Sequence, residues 1–303
     1  MTQTRAGFIA IIGAPNAGKS TLLNSLVGEK LAIVSPKVQT TRINLRGILT
    51  RNNCQYIFVD TPGIHKPRRN FDETMVDSAW EAFTEADATI MVVDARQGFT
   101  GEAARILENL QGMDKRPPLV LALNKIDSMP REKLLPLIAD ASALNIFDDI
   151  YPISARTGDG VDGMLKKLAT WMPEGPYLYD PDDMTDMPMR ILAAETTRER
   201  AFLLLGQELP YALAVETLLY EHQEDGSIRI EQNLLIERDG QKKIVIGKSG
   251  QMLKKIGSQS RAALEKFTGS RVHLFLHVKV KDWSNDPLQM RSLGVEPSKK
   301  RKR

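Results

Sequence analysis

Short, largely apolar runs recur along the first half of the chain, each closed by a polar or glycine-rich turn. They are Gly7–Ile12, Ile43–Leu49, Tyr56–Val59, Thr89–Asp94, Pro118–Leu123 and Ile150–Ile153. Runs of this length, rich in β-branched residues and apolar on both sides, predict strands buried inside a sheet. Thr21–Val27 and Val161–Met172 carry helical spacing. The pattern then breaks into an acidic, proline-punctuated stretch, Pro173-Glu174-Gly175-Pro176-Tyr177-Leu178-Tyr179-Asp180-Pro181-Asp182-Asp183, which reads as an extended linker. Beyond it the pattern predicts a helix over Thr196–Glu208, then strands over Tyr211–Glu221 and Ser227–Glu237 joined at Glu224-Asp225-Gly226. A helix follows with apolar residues at Leu253, Ile256, Ala263, Leu264 and Phe267. The last strand, Arg271–Lys281, alternates: Val272, Leu274, Leu276, Val278 and Val280 face one side, and His273, Phe275, His277, Lys279 and Lys281 the other. The expected division is 1–173, an α/β domain; 174–190, a linker; 191–285, a smaller α+β domain; and 286–303, a basic tail.

A length of 303 residues suits two cores, and 42% hydrophobic with 26% charged residues argues against wholesale disorder. No stretch approaches the roughly 18 apolar residues of a membrane span, and the start lacks a long apolar run, so a soluble, cytoplasmic protein is expected. The single cysteine, Cys54, cannot form an internal disulfide. The net charge of +3 hides a split: Gln241–Arg303 holds 16 Lys and Arg against 4 Asp and Glu, leaving 41 − 16 = 25 against 38 − 4 = 34 elsewhere. The last fifth therefore carries +12 and the rest −9. Such a basic end points to a polyanion, either nucleic acid or an acidic membrane.

The chemistry sits at the ends of the predicted strands. Gly13-Ala14-Pro15-Asn16-Ala17-Gly18-Lys19-Ser20-Thr21 matches G-x-x-x-x-G-K-[ST] between a strand and a helix. There the backbone N–H groups cradle phosphate oxygens, Lys19 reaches the β and γ phosphates and the Ser20 hydroxyl ligates Mg²⁺. In the polar loop before Ile43, Thr41 rather than Thr40 is the expected second hydroxyl ligand, present only when a γ-phosphate completes the site. Asp60-Thr61-Pro62-Gly63-Ile64 follows the third strand: Asp60 would hold the metal and the Gly63 N–H would touch the γ-phosphate. After the fifth strand come Asn124-Lys125-Ile126-Asp127. The Asp127 carboxylate accepts from the N1–H and N2 amine of guanine, a donor pair that adenine lacks; Lys125 lies along the purine and Asn124 braces the loops. Ser154-Ala155-Arg156 follows the sixth strand, with the Ala155 N–H as a candidate donor to the guanine O6.

These motifs, in this order, resemble the translation-factor class of P-loop GTPases. Lys19, Thr41, Gly63 and Asn16 are the candidate catalytic residues. Asn16 resembles the asparagine by which some related GTPases hold K⁺ near the phosphates. One departure matters: many Ras-like GTPases carry a water-orienting glutamine after D-x-x-G, where this chain has Ile64, so hydrolysis by the chain alone is expected to be slow.

In the second domain, Gly247-Lys248-Ser249-Gly250 before a helix resembles the G-x-x-G clamp of a KH domain, which holds about four nucleotides of single-stranded nucleic acid. Its approach through Ile246 and the flanking Lys242, Lys243, Lys254 and Lys255 supply the expected RNA contacts. The order helix, strand, strand, helix-loop-helix, strand resembles the type II arrangement. With Gln39-Thr40-Thr41-Arg42, Gly206-Gln207-Glu208-Leu209-Pro210-Tyr211 and Gly240-Gln241-Lys242-Lys243 as further matches, the chain from Gly7 to about Val295 resembles the Era family of bacterial GTPases. That resemblance implies GTP and GDP binding, slow Mg²⁺-dependent hydrolysis and recognition of the single-stranded 3′ end of small-subunit 16S rRNA during assembly of the 30S subunit. It also implies a cytoplasmic protein with some peripheral contact to the inner face of the membrane. The basic tail Ser298–Arg303 lies outside the family pattern.

Overall fold

A computed structural model describes residues 3–35, 37, 40–67, 70–206 and 209–295; Gln39, Gln207, Glu208 and the basic tail lie outside the described residues. The chain divides into two compact units, Met1–Asp186 and Met187–Arg303.

The first unit runs β1 (Arg5–Gly13), α1 (Lys19–Val27), β2 (Leu45–Arg51), β3 (Cys54–Asp60), α2 (Asn70–Glu85), β4 (Ala88–Asp94), α3 (Glu102–Gln111), β5 (Leu119–Asn124), α4 (Leu134–Ala143), β6 (Asp149–Ile153) and α5 (Val161–Ala169). The sheet order is β2-β3-β1-β4-β5-β6, with only β2 antiparallel to its neighbour. Every residue of β3, β4 and β5 is buried, which is why these strands read as unbroken apolar runs. The strand order turns back at β1, so the crevice at its C-terminal end is the place where α/β sheets bind ligands. Ala10 and Ile12 of β1 pack with Phe83, Met91, Leu107 and Leu121 on one face of the sheet. The lone cysteine, Cys54, opens β3; it is 2% exposed, and burial raises its thiol pKa.

The expected linker is in large part a strap on this unit. Gly175 N–H donates to Thr4 O (3.0 Å), and the buried Gln55 side chain accepts from the Leu178 and Tyr179 N–H groups (2.8 and 3.0 Å) while donating to Tyr179 O (3.0 Å). Further on, Ile48 N–H donates to Met184 O (2.8 Å), Thr185 Oγ1 to Arg46 O (2.6 Å), and Arg46 pairs with Asp186 at 2.6 Å. The strap thus uses backbone groups along β2, the edge strand, that would otherwise face solvent.

The second unit runs α6 (Met189–Leu204), α7 (Leu209–Ala212), β7 (Ala214–His222), β8 (Ile228–Ile236), α8 (Asp239–Ile246), α9 (Gln251–Thr268), β9 (Val272–Val280) and α10 (Pro287–Ser292). Its sheet is β7-β8-β9, with β7 antiparallel and β9 parallel to β8. One core joins Ala201, Leu213, Leu234, Ile236, Val245 and Ile256. Helix α6 starts seven residues before the expected Thr196, and Tyr211 lies in α7 rather than in the first strand. Buried polar residues in α6 obscure its period: Arg198, 2% exposed, pairs with Glu195 at 2.6 Å. The described part of the expected tail is folded as well. Asp286 caps α10, Met290 and Val295 are buried, and the nearby Trp283 indole donates to Ala212 O at 2.9 Å.

Candidate functional site

Where β1 ends, the loop 13–18 takes left-handed or otherwise positive φ at Gly13 (150°), Asn16 (62°) and Gly18 (105°). A Cβ on Gly13 would lie 2.4 Å from Val92 O, and one on Gly18 would lie 2.2 Å from Asn124 Nδ2, so both glycines are required by close approach. Gly18 caps α1 without any side-chain bond, which leaves the first N–H groups of the helix for an anion. Lys19 is buried, its Nζ 3.1 Å from both Gly13 O and Ala14 O. Burial lowers its pKa to about 8, against the pull of the Asp60 charge.

The three expected metal ligands meet beside it. Ser20 Oγ donates to Asp60 Oδ2 at 2.7 Å, Thr41 Oγ1 donates to the same oxygen at 3.2 Å, and the two hydroxyls are 2.9 Å apart. Asp60 is fully buried; burial pushes its carboxyl up to about 6, opposed by Lys19 and the two hydroxyl bonds. Its Oδ1 has no hydrogen-bond partner among the described residues. Two hydroxyls and a half-satisfied buried carboxylate form a hard oxygen set that fits Mg²⁺. Next along the chain, Thr61 Oγ1 donates to Ile11 O (2.8 Å), and Gly63 passes so near Pro15 that a Cβ would lie 3.0 Å from it. Ile64 donates its N–H to Gly13 O (3.2 Å) while its side chain is buried with Phe83 and Met91, in the core rather than toward the loop.

The base-reading motif stands at the ends of β5 and β6. Asn124 Nδ2 donates to Ala17 O (2.9 Å), and its Oδ1 accepts from the Lys125 and Ala155 N–H groups (2.8 and 2.9 Å). The Ala155 N–H, expected to meet the guanine O6, is therefore used to tie two loops together. Asp127 accepts from Ser154 Oγ and Arg156 Nη2, each at 2.6 Å. The Ser154 bond, and after it the charge of Arg156, hold its carboxyl below the usual carboxylate range.

Sequence reasoning missed Asp94. At the end of β4, in register with Asn124, it bonds Lys125 Nζ at 2.8 Å and takes a fork from Arg96 at 2.9 and 2.6 Å. Burial pushes this carboxyl up, but the bonds from Arg96 and Lys125 outweigh it and hold it at about 2. Lys125 Nζ also reaches Asn16 O at 2.5 Å, so Asp94 fixes the side chain expected along the purine. No local pattern marked it, because its role depends on β4 pairing with β5.

In the second unit, α8 ends at a loop with positive φ at Gly247 (74°), Ser249 (51°) and Gly250 (76°), after which α9 begins. A Cβ on Gly247 would stand 2.6 Å from the Met252 Cβ. Lys243, Lys248, Ser249, Lys254 and Lys255 are exposed around this loop; Lys242 and Ile246 are half-buried. Ile244, not singled out from sequence, is 57% exposed on α8, an apolar contact of the kind a base can use.

Both units have counterparts among known proteins. A 50S ribosome-binding GTPase model matches residues 8–125, and a KH domain model matches residues 208–284. GTPase Era of Sinorhizobium medicae is 50% identical over 294 residues, 97% of this chain and 94% of its own length. GTPase Era of Caulobacter vibrioides is 47% identical over 310 residues, 97% and 98% of the two chains. A crystal structure of an Aquifex aeolicus Era variant bound to GDP and aluminium fluoride superposes with a TM-score of 0.91 at 37% identity, covering 97% of this chain and 100% of that one. Era in complex with MgGDPNP and nucleotides 1506–1542 of 16S ribosomal RNA matches equally well, with a TM-score of 0.91, 37% identity and 97% and 99% coverage.

Proposed function

This chain belongs to the GTPase Era family, and from that membership we propose that it is a nucleotide-driven RNA clamp that holds the single-stranded 3′ end of 16S rRNA and serves assembly of the 30S subunit. It is a GTPase, converting GTP and water to GDP and phosphate, with a guanine-nucleotide site that uses Mg²⁺. The observation that carries the switch is the meeting of Ser20, Thr41 and Asp60 on one carboxylate oxygen beside the buried Lys19.

In this reading the loop amides and Lys19 hold the phosphates, Gly63 N–H meets the γ-phosphate, and Ser20, Thr41 and Asp60 hold the metal, which supplies neutralising charge when bound. Asp127 reads guanine, kept ionised and oriented by Ser154 and Arg156. Because the Ile64 side chain is buried in the core, it cannot align the attacking water, and the isolated chain turns over slowly. Asn16, at the tip of the phosphate loop, is the candidate K⁺ residue; GTP turnover that is equal in potassium and sodium at one ionic strength removes that role.

Since Thr41 lies before β2 and Asp60 closes β3, a γ-phosphate orders both loops, and the nucleotide state is felt by the chain that leads to the RNA-binding unit. The RNA of the solved Era complex and the +12 charge of the last fifth support rRNA as the polyanion, with 242–255 as the contact surface. The location that follows is the cytoplasm, with any membrane contact peripheral. The test is titration of a labelled 16S rRNA 3′ end with the full chain in GTP-analogue and GDP states, alongside a Gly247-to-Gly250 loop variant. Tighter, loop-dependent binding in the GTP-analogue state is expected. Equal affinity in both states overturns the switch, and weak binding in both makes an anionic membrane the partner of the basic end.

A further inference from the structure

Asp94 opens a tight turn after β4. Its carbonyl oxygen accepts from the Gln97 and Gly98 N–H groups (2.9 and 3.0 Å), and its Oδ1 accepts from the Arg96 N–H (3.1 Å). The next N–H, of Ala95, donates to Asn124 O at 2.9 Å and ties the turn to the base-reading motif. Such a turn needs one side-chain oxygen, which an asparagine supplies equally well. The second oxygen, Oδ2, is surplus to the turn, and it accepts from Lys125 Nζ at 2.8 Å as well as from Arg96 Nη2 at 2.6 Å. A carboxylate only 6% exposed is costly to keep ionised, so its second oxygen calls for a reason beyond the turn. Lys125 supplies it. Its backbone is left-handed, with φ 69°, an unfavourable state for a residue with a Cβ. Its stem runs past the start of α1, where a Cβ on Gly18 would lie 3.9 Å from Lys125 Cε, and its amine ends between Asp94 Oδ2 and Asn16 O. The lysine therefore spans from the base-reading motif to the tip of the phosphate loop, and Asp94 is the carboxylate that holds it there.

We propose that Asp94 is a positioning residue that lays Lys125 out before the nucleotide arrives, and so sets how long a guanine nucleotide stays bound. An untethered lysine loses its rotamer freedom when a ligand immobilises it, and that loss is subtracted from the affinity. A lysine already held by a buried carboxylate has little left to lose. Because such preorganisation acts mainly on release, the effect belongs to the dissociation rate. It acts on the purine side, which GTP and GDP share, so it serves both states alike and is independent of the γ-phosphate contacts of Thr41 and Gly63. The inference rests on the reading of Lys125 as the residue along the purine.

The experiment follows release of fluorescently labelled GDP and of a labelled, non-hydrolysable GTP analogue from the full chain, chased with excess unlabelled nucleotide. Asp94→Asn keeps the turn acceptor but sets an amide against the donors of Lys125 or Arg96. Asp94→Ser keeps a turn acceptor and introduces no such clash. Both are expected to speed release about tenfold, by the same factor for the two nucleotides. In a Lys125→Met background, adding Asp94→Ser is expected to change release by less than about twofold, because the partner through which it acts is gone. Wild-type release from Asp94→Ser overturns the proposal, as does an effect on one nucleotide only. A further tenfold acceleration in the Lys125→Met background overturns it too, since a general loosening of the fold would add to the loss of the lysine. If Lys125→Met speeds release and Asp94→Ser does not, this inference fails while the reading of Lys125 stands. If Lys125→Met leaves release unchanged, that reading fails and this inference falls with it.

Discussion

A lysine amine enclosed by carbonyl oxygens, with a carboxylate nearby, is a costly way to keep a charge until a phosphate arrives. With Lys19 lowered to about 8 in the ligand-free chain, two opposite pH dependences follow. The unfolded amine titrates near 10.5, so between about pH 8 and 10.5 the unfolded chain binds more protons, and this group's contribution to stability rises with pH across that window. Nucleotide affinity moves the other way, because the bound phosphates require the ammonium form. From pH 7 to about 8.5 the affinity for GTP should fall about fourfold, with net proton uptake on binding. Calorimetric titration in two buffers of different ionisation enthalpy checks this, and binding without proton uptake at the higher pH contradicts it. The residues gathered at the candidate nucleotide site were legible because each belongs to a short motif at the end of an apolar strand. Asp94 was not, since its task of holding Lys125 depends on β4 lying beside β5, a neighbourhood no local pattern states.

At the scale of elements, the strands were read to within two residues except at the start of β7, which lies three residues later than expected, while the segment 174–186, expected as an extended linker, is bonded along β2 and β3. Proline and acidic residues usually mark solvated linkers, and here their partners lie more than a hundred positions away. Gln55, buried within β3, replaces a strand partner by meeting two N–H groups and one carbonyl of the strap. Gln55→Ala would orphan those groups at a net cost of about 1 kcal/mol per bond. The expected result is faster amide exchange across 178–186 and at Ile48, read by mass spectrometry, with the phosphate loop unchanged. Unaltered protection of 178–186 would show that the strap holds by other contacts. The start of helix α6 was set too late for a related reason: Arg198 pairs with Glu195 in a largely buried position, so polarity there no longer marks solvent.

For the whole molecule, the division of charge into +12 and −9 was readable at once, and it matches a division of labour between a nucleotide sensor and a polyanion clamp. What could not be read was that Arg229 of β8 lies over the Phe275 ring of β9, because that depends on the parallel register of the two strands. Cys54 has a practical consequence. A chain with a single thiol, 2% exposed and with a raised pKa, reacts slowly with maleimides and spin labels. Cysteines introduced at exposed positions can therefore be tagged over a near-silent native background, so that distances in solution can be followed through the nucleotide cycle without first disturbing the sheet.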